Sequence, residues 1–207
     1  MLNIAVLVSG GGTNLQALID AQKAGRINGK IVRVISSRPG VYALERAAAN
    51  GIPVSVVERK KFKTSEQFDA ALVSELEGCG AQLVVLAGFL SVLGRAVTEA
   101  YSYRIVNVHP ALIPSFCGPG FYGLHVHEAA LKYGVRVTGA TVHFVSDVVD
   151  GGAIILQKAV EVKQGDTPEV LQRRVMEQAE WIILPRAVSL ICDGKVAVED
   201  GRVIIKE

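Results

Sequence analysis

The sequence predicts an α/β fold: a mostly parallel central sheet with helices on both faces and antiparallel strands in its C-terminal half. Three observations lead there. Short apolar runs alternate with stretches of helical apolar spacing as far as residue 109. The run "LVVLAGF" is apolar without alternation, as befits a strand covered on both faces. Further on, "VRVTGATVHFV" and "GAIILQKAVEV" are joined only by "SDVVDGG", too short for a crossover helix, so these two strands are antiparallel or share a tight bend.

The elements follow in order. "LNIAVLVS" reads as a buried strand and "GGGTN" as the turn after it. "LQALIDAQKAG" has Leu15, Leu18 and Ile19 on one side, with Gly25 as its stop. "KIVRVISS" is the second strand, "YALERAAANG" a helix closed by Gly51, and "VSVV" the third strand. "SEQFDAALVSELEGCG" is a helix with Ser65 as N-cap, followed by the fourth strand, the helix "SVLGRAVTEAYS" and the strand "RIVNV". "TPEVLQRRVMEQAEWIILPRAVSLI" is expected as one long helix, with Pro168 near its start and a stripe of Val175, Ala179, Ile182 and Ile183. "KVAVEDGRVIIK" is a hairpin turning at Asp200-Gly201. With no repeat and no low-complexity linker, one domain is expected over residues 1–207. Residues 1–100 are expected to make up one half of it and 101–207 the other.

Composition excludes several functions. Lys and Arg number 22 against 20 for Asp and Glu, so a net charge of +2 gives no argument for nucleic acid. The run Arg59-Lys60-Lys61 with Lys63 lacks an aromatic ladder and reads as a solvated loop, at most one that steers a small anion. Cys79, Cys117 and Cys192 are far apart and form no Cys-x-x-Cys pair. An odd count without a basic leader suggests reduced thiols in a cytoplasm. No stretch reaches the roughly 18 apolar residues of a membrane span.

"SGGGTN" sits between a strand and a helix. Gly10, Gly11 and Gly12 let backbone N–H groups converge on the helix N-terminus, which suits a phosphate, with Thr13 and Asn14 adding side-chain donors. The same residues also suit a plain tight turn capped by Thr13 or Asn14. Position 15 is Leu, so the dinucleotide pattern is absent.

In "RIVNVHPALIPSF", Asn107 and His109 share one strand face at the C-terminal end of a parallel strand, where open α/β sheets place their sites. Asn offers an amide donor and His a donor or a proton, a pair that can hold a developing oxyanion. Pro110 and Pro114 stiffen the chain beyond them. Asp147 and Asp150 in "SDVVDGG" are the available carboxylates, and an acid beside His109 is expected to raise its pKa. His143 is either a structural histidine or a second-layer group. His125 and His127 are two apart rather than four, and no metal is assigned.

Six blocks in order, "VLVSGGGTNLQALID", "VVLAGF", "NVHPALIPSF", "GATVHFV", "DVVDGGAIILQ" and "EWIILP", resemble the folate-dependent phosphoribosylglycinamide formyltransferase family. The resemblance implies a Rossmann-like formyltransferase fold. It also implies transfer of a formyl group from the cosubstrate 10-formyltetrahydrofolate to the amine of glycinamide ribonucleotide, without metal. It puts the catalytic Asn, His and Asp on Asn107, His109 and Asp150. The phosphate loop falls on Gly11, Gly12, Thr13 and Asn14, and a nucleotide contact on Glu180. The folate rim falls on Leu90, Ser91, Val92, Leu93, Val106 and Asn107, with Val145, Ser146, Asp147 and Asp150. His143 stands behind them. Family members often carry arginine where this chain has Ser91 and Ser65, which implies weaker contacts to the folate tail and the nucleotide.

The implied partners are the two small molecules, not nucleic acid or membrane, for a cytoplasmic monomer or weak homodimer. Methionyl-tRNA formyltransferases and formyltetrahydrofolate hydrolases are similar at the Asn, His and Asp, but are expected to carry a further domain. A non-catalytic nucleotide-binding module would keep the loop without the triad's chemistry.

Overall fold

The structure, a computed structural model, describes residues 1–206. Five parallel strands come first: β1 (Leu2–Val8), β2 (Gly29–Ser36), β3 (Val54–Val56), β4 (Leu83–Leu86) and β5 (Ile105–His109). Then β6 (Val137–Phe144) runs antiparallel to β5, and β7 (Ile154–Glu161) antiparallel to β6. They form one sheet in the order β3-β2-β1-β4-β5-β6-β7. The strand order reverses at β1, which lies between β2 and β4. An open sheet leaves a crevice at such a point, outside the strands' C-terminal ends. A separate hairpin, β8 (Val196–Glu199) and β9 (Arg202–Ile205), turns at Asp200 and Gly201, both at positive φ, as the sequence predicts.

Side chains on β1 alternate between two cores. Ile4, Val6 and Val8 pack with α1 (Thr13–Lys23) and with Leu171 and Leu184 of two C-terminal helices. Ala5 and Leu7 pack with Phe68, Leu72 and Leu76 of α3 (Ser65–Gly78) and Val97 of α4 (Arg95–Ala100). The intervening α2 (Tyr42–Ala49) packs on β2, and α5 (Leu124–Tyr133) packs against the first C-terminal helix. Among the described residues, no helix is long and apolar enough to cross a membrane.

Three helix starts and stops differ from expectation. Thr64, not Ser65, caps α3, its hydroxyl accepting the Gln67 N–H at 3.3 Å. Threonine at this place keeps extended backbone while Ser65 already begins the helix. Gly12 occupies the N-cap of α1 with φ 73°, so neither Thr13 nor Asn14 caps that helix. The run Arg59–Lys61 faces solvent as expected but folds as a single 3-10 turn, in which Lys60 and Lys61 pair with the buried Glu58.

The long C-terminal helix is broken. It begins as α6 (Pro168–Val175), capped by Thr167, and passes through a π-turn at Met176–Glu180 before α7 (Trp181–Cys192). Arg174 anchors its approach through two bonds to Asp166, 2.5 and 2.6 Å long. The wider turn advances the register, so Val175, Ala179 and Ile183 are buried while Ile182 is 49% exposed. It also turns Glu180 inward. Glu180 is 6% exposed and accepts a 2.6 Å hydrogen bond from the Asn14 amide.

Two buried groups tilt stability with pH in opposite directions. His127 on α5 is wholly buried with neither ring nitrogen bonded, and burial pushes its pKa from 6.5 down to about 4. Burial pushes Glu180 from 4.5 up to about 7, against the Asn14 amide, which lowers it. As pH falls from 6.5 to about 4, the unfolded chain binds a proton at His127 that the folded chain refuses, so stability drops. As pH rises from 4.5 to about 7, the folded chain keeps a proton on Glu180 that the unfolded chain has lost, so stability drops again. Each effect is roughly 3 kcal/mol at full extent. Relative to wild type, His127→Leu should therefore gain stability as pH is lowered through this window. Glu180→Gln should gain as pH is raised. Urea unfolding at several pH values reads both slopes, and flat difference curves would contradict the burial account.

Gly12 is held by packing as well as by φ. A Cβ there would lie 2.7 Å from that of Ala43, whereas Gly10 and Gly11 face open space. Gly12→Ala should cost about 1–3 kcal/mol and Gly11→Ala no more than about 0.5 kcal/mol, measured by thermal unfolding.

Candidate active site

The register between β5 and β6 sets the site. Asn107 lies opposite His143 and His109 opposite Thr141, so four polar side chains share one face. Thr141 holds the chain just past His109: its hydroxyl donates to the Ala111 carbonyl at 2.7 Å and accepts the Ile113 N–H at 3.1 Å. His143 donates from Nδ1 to the Phe144 carbonyl at 2.8 Å, leaving Nε2 to accept the Asn107 amide at 3.3 Å. That bond orients the Asn107 amide and leaves its second N–H free.

Asp150 arrives on the loop between β6 and β7, at φ 55°. The loop is pinned where Gly152 passes β6, so close that a Cβ would sit 1.8 Å from the Phe144 carbonyl oxygen. One Asp150 oxygen lies 3.6 Å from His143 Nε2 and the other 3.6 Å from His109 Nδ1. The second oxygen also accepts the Gly118 N–H at 2.8 Å. His109 donates from Nε2 to the Phe116 carbonyl at 2.8 Å. Residues 116–118 thus hold both members of the His109–Asp150 pair through backbone groups, which side-chain identities do not reveal.

The structure brings Asn107, His109, His143 and Asp150 together as the sequence predicts, but it corrects the charge on His109. Burial pushes the His109 pKa down, and Asp150 and the Phe116 carbonyl only partly oppose it, so the ring stays below its usual value. Burial pushes Asp150 up. The neighbouring His143, the Gly118 N–H and His109 outweigh it and hold the carboxyl below the usual value. The resting pair is therefore a carboxylate beside a neutral imidazole, with the Nδ1 lone pair facing Asp150.

The glycine loop leads into α1, whose first N–H groups, at Thr13 and Asn14, have no acceptor within the helix. Gly10 and Gly11 are exposed and Thr13 half-buried. The Asn14 amide is committed to Glu180, so these two residues act as one unit from opposite ends of the chain.

The residues expected at the folate rim differ in exposure. Leu90 is 48% and Val92 72% exposed, Ser91 is half-buried, and Leu93 and Val145 pack into the α3–α4 core. Val106 does not line the rim with its side chain. It is completely buried in the opposite core, because neighbouring strand residues alternate faces. The Ser146 hydroxyl turns back onto Val148, Asp147 is exposed, and Val148 and Val149 stand beside Asp150 with open apolar surface.

Ser9 ties three strand ends together. Its oxygen lies 2.6 Å from that of Ser37 and accepts the Leu90 N–H at 2.9 Å. Ser65 accepts from Arg59 at 3.1 Å. One cleft of about 550 Å³ opens between Ser37–Pro39, Glu58–Lys60 and Leu90–Ser91. Another, also about 550 Å³, lies between α4 and the loop from Val145 to Ala153. Neither is lined by Asn107, His109 or Asp150.

The chain is similar to several known proteins. The family model described as formyl transferase matches residues 2–188. Phosphoribosylglycinamide formyltransferase of Escherichia coli (strain K12) is 39% identical over 200 residues, covering 97% of this chain and 92% of that protein. The trifunctional purine biosynthetic protein adenosine-3 of Gallus gallus is 43% identical over 206 residues. That match covers 99% of this chain, which spans only 20% of the length of that protein. The crystal structure of glycinamide ribonucleotide transformylase 1 from Symbiobacterium toebii has a TM-score of 0.95 at 42% identity, covering 100% of this chain and 95% of that one. With a family match over residues 2–188 and the same fold as a solved relative, the chain belongs to the formyl transferase family.

Proposed function

We propose that the protein is a phosphoribosylglycinamide formyltransferase. It moves the formyl group of 10-formyltetrahydrofolate to the amine of glycinamide ribonucleotide, giving formylglycinamide ribonucleotide and tetrahydrofolate in purine synthesis. The observation that carries this reading is the meeting of Asn107, His109 and Asp150 on one strand end, in a chain of this family. The names of the Escherichia coli and Symbiobacterium toebii relatives support formyl transfer to glycinamide ribonucleotide.

The nucleotide's phosphate lies against the N–H groups of Gly11, Gly12, Thr13 and Asn14, and Glu180, bonded to Asn14, contacts the nucleotide. The folate ring fits between Leu90, Val92 and Leu93 on one side and the loop from Val145 to Asp150 on the other. The exposed Leu90, Val92, Val148 and Val149 suit a flat apolar body there. The amine nitrogen then attacks the formyl carbon. A C–N bond forms, and the carbonyl oxygen becomes an oxyanion facing the free N–H of Asn107.

His109, neutral at rest, briefly takes up on Nδ1 the proton that leaves the amine before passing it on, and Asp150 beside it stabilises the imidazolium while the oxyanion exists. The proton leaving the amine reaches N10 of the folate through Asp150 and water, and the bond from the formyl carbon to N10 breaks. No protein atom becomes covalently attached, and no step draws on a metal. The working protein is a cytoplasmic monomer or weak homodimer, a setting that suits its three free cysteines.

The purified protein should release tetrahydrofolate from 10-formyltetrahydrofolate only when glycinamide ribonucleotide is present, and without ATP. Absorbance of the folate product reports this, and turnover without the amine would point to a hydrolase instead. Asn107→Ala and His109→Ala should each lower single-turnover transfer about a hundredfold or more. Asp150→Asn should slow transfer strongly and shift the His109 titration further down. The double variant of His109 and Asp150 should lose less than the product of the two single losses, because both act through one proton position. Fully multiplicative losses, with His109 NMR titration indifferent to Asp150, would remove the coupled role.

A further inference from the structure

The glycine loop can hold an anion only if its carbonyl oxygens face elsewhere, since each would repel a phosphate. Here every glycine carbonyl of the loop already has a donor of its own. The Gly10 carbonyl accepts the Ala43 N–H of α2 at 3.2 Å, and the Gly12 carbonyl accepts the Gln16 N–H at 2.9 Å. The Gly11 carbonyl, between them, has a side-chain partner: Arg46 Nε donates to it at 2.8 Å. In a planar trans peptide the C=O and the following N–H point in opposite directions. Binding these three carbonyls therefore turns the N–H groups of Gly11, Gly12 and Thr13 the other way.

Arg46 is itself immobilised. Its Nη1 donates to Gln16 at 3.2 Å, and its guanidinium lies 4.7 Å from the ring centre of Tyr42. The close fit of Gly12 against Ala43, with Arg46 Cδ 3.5 Å from the Cβ position, leaves the loop little room for another path.

We infer that Arg46 is a positioning residue for recognition of the nucleotide's phosphate: by holding the Gly11 carbonyl it fixes the Gly11–Gly12 peptide with its N–H toward the anion. The guanidinium does not touch the phosphate. It acts through the peptide plane, and its charge behind the loop adds to the positive end of α1. Without it the Gly11 carbonyl is free to rotate into the site, because Gly11 carries no side chain and faces open space. Lysine at this position can reach one of these acceptors but lacks the guanidinium fork that serves Gly11 and Gln16 from separate nitrogens.

The inference rests on the formyl-transfer reading, and its test separates the two. Steady-state kinetics would compare wild type, Arg46→Met and Arg46→Lys on glycinamide ribonucleotide and on the same substrate without its 5′-phosphate. Inorganic phosphate serves as a competing anion. Arg46→Met should raise KM for the phosphorylated substrate about tenfold or more and weaken inhibition by phosphate to match. The kcat at saturation and KM for the folate should stay within about twofold. On the substrate without phosphate, wild type and variant should perform alike. Arg46→Lys should recover part of the loss.

Equal losses on both amine substrates, a matching rise in the folate KM, or no change at all would overturn the inference. Wild type that gained nothing from the 5′-phosphate would instead overturn the phosphate-loop reading, and this inference with it. Should Arg46→Met fail to fold, Arg46→Lys and Arg46→Gln carry the same comparison.

Discussion

Antiparallel pairing of β5 with β6 is the constraint on which the site depends. A parallel sheet delivers its strand ends to one rim, but adjacent parallel strands end on separate loops. Reversing one strand beside β5 sets His143 and Thr141 directly across from Asn107 and His109. A one-residue slip of β6 would send His143 and Thr141 to the opposite core, where Val142 and Phe144 now sit. The same reversal makes the β6–β7 connection a tight loop anchored at Gly152, and that loop returns Asp150 to the histidines. The apolar packing of Val106 and Val142 thus secures the register that the polar face requires.

Within that face, burial and charge compete. Four polar groups and a carboxylate in a largely dry corner would be costly if left unpaired. The structure resolves this with few charges. His143 spends its proton on a backbone carbonyl, Asn107 bonds to the ring nitrogen left over, and His109 stays neutral. Asp150 alone keeps a charge, stabilised by the Gly118 N–H and by the histidines around it. A site with one net negative charge at rest can accept a proton without first giving one up, which suits chemistry in which an amine must lose one.

Much of this was legible in the sequence because it depends on period and spacing. Alternation of apolar runs gives the parallel sheet, the short "SDVVDGG" link gives the reversal, and the parity of Asn107 and His109 gives their common face. What was not legible depends on balances and on backbone. The sign of the His109 shift needs the depth of burial as well as the neighbouring carboxylate. The hold of Phe116 and Gly118 on the His109–Asp150 pair comes from main-chain groups that every residue possesses. Asn14 reads as a cap or a phosphate donor until Glu180, 166 residues away in sequence, is seen to claim its amide. The helical stripe through Ile182 fails because period 3.6 was assumed where one turn is wider.

That wider turn has a consequence for how this helix could change over time. A π-turn is equivalent to one residue inserted into an α-helix, and each residue beyond it is rotated by about 100° from where an unbroken helix would carry it. Loss of a single residue between Met176 and Glu180 would restore a regular helix. It would also force a choice between keeping the buried face of α7 and keeping a carboxylate opposite Asn14. Substitutions can be exchanged one at a time along this segment, but its length cannot. The helix is thus free to drift in composition while its count of residues stays tied to the site.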